Sequence, residues 1–184
     1  MHAGDEIVNP RTGQRMIFRR TAGDTGGALL QIETVNPRGP AEPEHVHPHQ
    51  ESSATVLAGT LHFRIRGRVQ VVRVGETVVI PPNTPHYFWN EGEEEARAIQ
   101  EFRPALRTED FFETYFELAR DGQLNARGIP PSLLHVAVLT AAFWDEIRVT
   151  RPPMPVQRLV ATILAPLGRR RGYRARYAPG SGTA

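Results

Sequence analysis

Two stretches decide the fold: GPAEPEHVHPHQES at residues 39–52 and GETVVIPPNTPHYFWN at residues 75–90. In an extended strand, side chains two positions apart face the same way, so His45 and His47 present both imidazoles to one side. Neutral imidazole is the commonest protein ligand for divalent transition metals, and two on one face make half a site. The second stretch supplies the remainder. His86 heads a strand directly after a turn held by Pro81, Pro82 and Pro85, whose φ angles are fixed. By the same alternation His86, Phe88 and Asn90 share a face, and Tyr87 and Trp89 take the other.

Around these stretches the chain reads as short strands up to about residue 103. Met16 to Arg20, Ala28 to Val35, Thr55 to Leu57, Leu61 to Arg66, Val69 to Val74, Thr77 to Ile80, His86 to Trp89 and Ala96 to Phe102 are rich in β-branched, aromatic and aliphatic residues. Turn residues such as Gly26-Gly27, Gly59, Gly67 and Gly75 separate them. Strands this short and evenly punctuated predict a mainly β, antiparallel sandwich or barrel. Leu61, Phe63 and Ile65 alternate with His62, Arg64 and Arg66, the pattern of a strand with one buried and one wet face.

The two histidine stretches resemble the motifs of the cupin family. Its first motif runs Gly, five intervening residues, His-x-His and a second Gly beyond, where Gly39, His45, His47 and Gly59 stand. Its second runs Gly, Pro-x-Gly, His and Asn, matched in spacing by Gly75, Pro81, His86 and Asn90. Asn83 occupies the usual Gly place, and Asn is the commonest substitute at a turn of positive φ. The resemblance implies a jelly-roll barrel over residues 1–104. It implies a divalent metal (Fe, Mn, Ni or Zn) on His45, His47, His86 and Glu51, and a small-molecule substrate or ligand.

One position departs from the family. Counted back from Gly59, the family's glutamate falls on Ser52, and Glu51 lies one place earlier. A one-residue step turns a side chain to the opposite face. In a regular strand Ser52, Ala54, Val56 and Ala58 point inward, and Glu51 ligates only through a shifted register or a bulge. Otherwise three histidines remain, an arrangement that resembles cupins of the thiol- and diketone-dioxygenase kind. Oxygenase chemistry is the leading class by resemblance, with isomerase or decarboxylase chemistry compatible. The alternative is a regulatory or ligand-binding cupin whose metal site has decayed.

After Pro104 the period changes. Thr108-Glu109-Asp110 reads as the start of a helix that Gly122 stops; Leu133 to Ile147 and Val156 to Leu167 read as two more. Residues 105–184 are thus expected to form a C-terminal α-helical extension of about three helices. The last two are apolar nearly all round, which predicts burial on several sides, against the barrel or in a homodimer. Pro166 is expected to weaken the last one.

Composition removes several chemistries. The 184 residues contain no cysteine, which excludes thiolate sites, and all 22 basic residues are arginine, which excludes lysine chemistry. Residues 1–104 hold 11 arginines against 13 acids, and residues 105–184 hold 11 against 7. The surplus sits on an acid-free tail bearing Arg169, Arg170, Arg171, Arg174 and Arg176. It reads as a solvated terminus, with contact to a membrane surface as the alternative. No phosphate loop or nucleophile elbow is present, and aromatics do not interleave with arginines as a nucleic-acid platform requires. No secretory leader or spanning segment is visible, so a cytoplasmic location is the expectation.

Overall fold

The computed structural model describes residues 1–39 and 43–175; Pro40 to Glu42 of the first histidine stretch and Arg176 of the basic tail lie outside the described residues. The chain runs through β1 (Glu6–Val8), β2 (Arg15–Arg20), β3 (Leu30–Asn36), β4 (His45–Val46), β5 (Glu51–Ala58), β6 (Thr60–Ile65), β7 (Arg68–Arg73), β8 (Thr77–Ile80), β9 (His86–Trp89) and β10 (Ala96–Arg103). It continues through α1 (Thr108–Arg120), α2 (Leu133–Ala142), β11 (Arg148–Val149) and α3 (Met154–Arg170).

Among the described residues two antiparallel sheets form. One has the order β1-β2-β3-β10-β5-β8, the other β11-β4-β9-β6-β7. The mainly β fold with a helical C-terminal part is the one read from the sequence. Arg66 and Gly67 both carry positive φ between β6 and β7, the backbone that a two-residue hairpin matched to strand twist requires. At Gly59, between β5 and β6, an added Cβ would lie 3.0 Å from the Ala96 Cα, so only glycine fits there.

The core lies between the facing sheets. Ala54, Val56, Val78, Ile80, Ala96 and Ala98 from the larger sheet meet Leu61, Phe63 and Val72 from the smaller. The larger sheet extends further. Its far end, with Met16, Phe18, Leu30, Ile32 and Phe102, is covered by Phe116 of α1 instead. Helix α1 carries Glu109 and Asp110 in its first turn and Arg120 in its last, matching the helix dipole. Thr108 caps nothing: its hydroxyl pairs with the fully buried Gln50, whose amide also donates to the Pro104 and Ala105 carbonyls.

Two expectations for the extension are corrected. The second helix stops at Ala142, before Ile147, because the chain leaves it to form β11, which pairs with β4 at Arg148↔Val46 and Val149↔His45. The boundary near residue 104 is therefore crossed: the extension lends a strand to the smaller sheet. Within the single chain, helix α3 is buried on one side. Its small residues Ala161, Ala165 and Gly168 face inward, while Leu159 and Ile163 are each 61% exposed. Small residues let α2 and α3 approach closely. A Cβ on Gly168 would lie 2.7 Å from both the Leu134 carbonyl oxygen and Val138 Cγ2. Pro166 does not end α3, which continues to Arg170. Among the described residues no helix is long and apolar enough to cross a membrane.

Candidate metal centre

Strands β4 and β9 pair antiparallel, and their register sets His45 directly across from His86. Asn83, with φ 57°, turns the chain between β8 and β9 as expected of the residue in the glycine place. Its amide donates to the His47 carbonyl at 2.8 Å, tying the two histidine stretches together. The result is a group of three buried imidazoles in which one ring nitrogen from each lies within 4.8 Å of the others.

The orientation of each ring follows from its other nitrogen. His45 Nδ1 donates to the Pro43 carbonyl at 2.9 Å, His86 Nδ1 to Thr84 at 2.8 Å, and His47 Nδ1 to Glu146 at 2.7 Å. A carbonyl only accepts, so each Nδ1 carries the proton and each Nε2 keeps a free lone pair. Metal-binding histidines are oriented in this way. Burial disfavours the imidazolium at all three sites, and neighbouring rings add to it at two. His45 is pushed well below the ordinary histidine range by desolvation and then by His86 and His47. His47 falls to about 4 through desolvation and His86. His86 is lowered by desolvation, with the Thr84 bond and Glu44 acting against it. Three neutral, convergent, buried imidazoles fit a divalent transition metal.

Glu51 stands outside this group. It is exposed at the start of β5, where pairing is regular: Glu51 lies opposite Arg103, and Ser52 opposite Phe102 and Ile80. The irregularity between β10 and β5 falls at the far end, at Arg97 and Ala98. Ser52 points inward, as do Ala54 and Val56, and its buried Oγ has no hydrogen-bond partner among the described residues. His49 is exposed, 3.5 Å from Asp145, and His62 stacks on Trp89. His135 is buried against Tyr173.

A cavity of about 280 Å³ opens from the imidazoles towards the helices. Ser52 and Gln100 supply polar atoms along its wall, and Phe63, Phe88, Phe102 and Phe112 much of its apolar surface. Gln100 lies on β10 between Ala98 of one core and Phe102 of the other, so the cavity occupies the seam where sheet gives way to helix as cover. Phe102 also meets the His47 ring edge-on, with centroids 5.2 Å apart. The contributions of Glu146, Arg148 and the α1 aromatics were not legible from the motifs. The segment of Glu146 and Arg148 carried one signal, the alternation Ile147, Val149 after an apolar helix, too short to mark a strand.

The cupin domain model matches residues 31–100. Protein SchB of Streptomyces halstedii is 33% identical over 103 residues, which span 54% of this chain and 73% of SchB. The chain is a cupin. Two other relatives are matched over about half their length. Polyketide synthase CurC of Streptomyces cyaneus is 32% identical over 46% of this cupin and 53% of CurC. Germin-like protein 3-3 of Oryza sativa subsp. japonica is 38% identical over 54% of this cupin and 48% of its own length. Among solved structures, KdgF from Halomonas sp. is similar to the cupin at a TM-score of 0.45 and 20% identity, covering 50% of this chain and 79% of KdgF.

Proposed function

We propose that this cupin holds one divalent first-row metal ion on His45, His47 and His86 and acts on a small, largely apolar organic molecule bound in the adjoining cavity. One observation carries the reading: three buried imidazoles converge with every Nδ1 committed to a carbonyl, leaving three Nε2 lone pairs for one ion. The metal would supply Lewis-acid polarisation or oxygen activation.

The chain's own residues do the rest. Ser52, standing where a family carboxylate is usual, adds no charge beside three neutral imidazoles. The positive charge of the site is therefore left to be balanced by the bound molecule, which favours one with an ionisable oxygen. Ser52 Oγ and Gln100 offer hydrogen bonds near the imidazoles, while Phe63, Phe88 and Phe102 select carbon surface and exclude water. An apolar substrate agrees with the polyketide synthase name of one relative. By resemblance oxygenase chemistry leads, with isomerase and decarboxylase chemistry beside it.

The same Ser52 favours a second reading, a ligand-binding cupin without turnover. Metal analysis of purified protein separates the two. About one equivalent of metal, absent from the His45→Ala/His86→Ala double variant, supports the first. Metal-free protein that takes up no ion on reconstitution supports the second.

A further inference from the structure

Two of the three imidazoles are oriented by the chain just before their own strands: His45 and His86 each donate to a carbonyl two residues back. His47 is different. Its partner, the Glu146 carbonyl, lies 99 residues away, in the connection between α2 and β11. That connection is laced along the ligand strand. Val149 pairs with His45 and Arg148 with Val46, and Thr150 returns its amide to the Glu44 carbonyl at 3.0 Å and its hydroxyl to the Glu44 carboxylate at 2.7 Å.

The position of Glu146 is in turn held by Arg107, in the turn before α1. Arg107 Nε donates to Glu146 Oε1 at 3.2 Å, its Nη2 donates to the Ala142 carbonyl, and its guanidinium lies over the Phe143 ring at 5.7 Å. Glu146 is only 3% exposed, and its Oε2 has no hydrogen-bond partner among the described residues. A carboxylate so buried is costly once its cation is removed, and a turn that shifts to carry it towards solvent would draw the Glu146 carbonyl away from His47.

We propose that Arg107 is a positioning residue for the metal centre: by clamping residues 142–146 it fixes the His47 ring, so that docking of the helical extension and metal binding are coupled. The proposal rests on the three-histidine metal reading. Coupling is reciprocal, so metal must stabilise the docked segment as much as docking tightens metal.

The test uses the full chain and Zn(II), followed by competition with a chromophoric chelator and by hydrogen exchange. Arg107→Ala is expected to weaken Zn(II) binding about 10- to 100-fold, the usual cost of losing a group that orients a ligand. Arg107→Lys, which keeps one donor, should recover part of the loss. In the wild type, Zn(II) should slow exchange of the Thr150 amide, and in Arg107→Ala that protection should shrink. Should Arg107→Ala fail to fold, Glu146→Gln replaces it, with a smaller loss of Zn(II) affinity expected. Wild-type protein that binds Zn(II) with unchanged exchange at Thr150, or variants that bind as tightly as wild type, overturn the coupling alone. A wild type that binds no Zn(II) overturns the metal reading and the coupling with it.

Discussion

Acid should destabilise the metal-free protein through its buried histidines, and His47 gives the scale of the effect. Its pKa falls from the ordinary 6.5 to about 4 in the folded state. The unfolded chain therefore binds a proton that the folded chain refuses between those values, and stability falls as pH drops from 6.5 towards 4. A fall from 6.5 to about 4 corresponds to about 3 kcal/mol. His45 and His86 move in the same direction and add to the loss. Against a total stability of about 5–15 kcal/mol, this is a large fraction. The assay is urea denaturation at pH 7 and pH 4 in the presence of a chelator, comparing wild type with His47→Gln, which cannot take up the proton. Wild type should lose about 3 kcal/mol more than the variant over that interval. Equal losses in the two proteins would refute the buried, neutral state assigned to His47. Saturating metal should move the acid transition of the wild type to lower pH, because protons and metal compete for the same lone pairs.

Restoring a carboxylate with Ser52→Glu should tighten divalent metal binding and lower the stability of the metal-free protein, since the new charge is buried without a partner; calorimetry and thermal melts read the two effects. Phe102→Ala, which removes a buried ring from the α1 core and from the edge of His47, should cost about 3–5 kcal/mol in denaturant titration. Gly168→Ala should destabilise by about 1–3 kcal/mol, because the added methyl meets the Leu134 carbonyl and Val138 at close range. Asn83→Val should destabilise and weaken metal binding together, whereas Asn83→Gly should be nearly silent, since only the former is strained at φ 57°.

The barrel and the imidazole group were readable because both depend on short-range rules. Strand alternation fixes which way His45, His47 and His86 point, and Ser52 rather than Glu51 faces inward because β5 is regular there. Asn83 could be assigned a positive φ from its place in the turn alone. What escaped the sequence was long-range. No local pattern announces that Glu146 will hold His47, or that two residues after an apolar helix will complete the smaller sheet. The packing of helix α3 is long-range as well. Apolar composition all round suggests burial on several sides; within the chain the close approach to α2 is made at Gly168, Ala161 and Ala165 are buried, and Leu159 and Ile163 face out. Helix α1 likewise begins without a side-chain cap, and the Thr108 hydroxyl is claimed by Gln50.

Whether one ion sits on three imidazole nitrogens is best tested by diffraction from crystals of the metal-loaded protein, recorded at the absorption edge of the metal. A single anomalous peak about 2.0–2.1 Å from the Nε2 atoms of His45, His47 and His86, with Glu51 in solvent, is the expected result for zinc. An ion bound elsewhere, or one ligated by Glu51, would contradict the three-histidine centre.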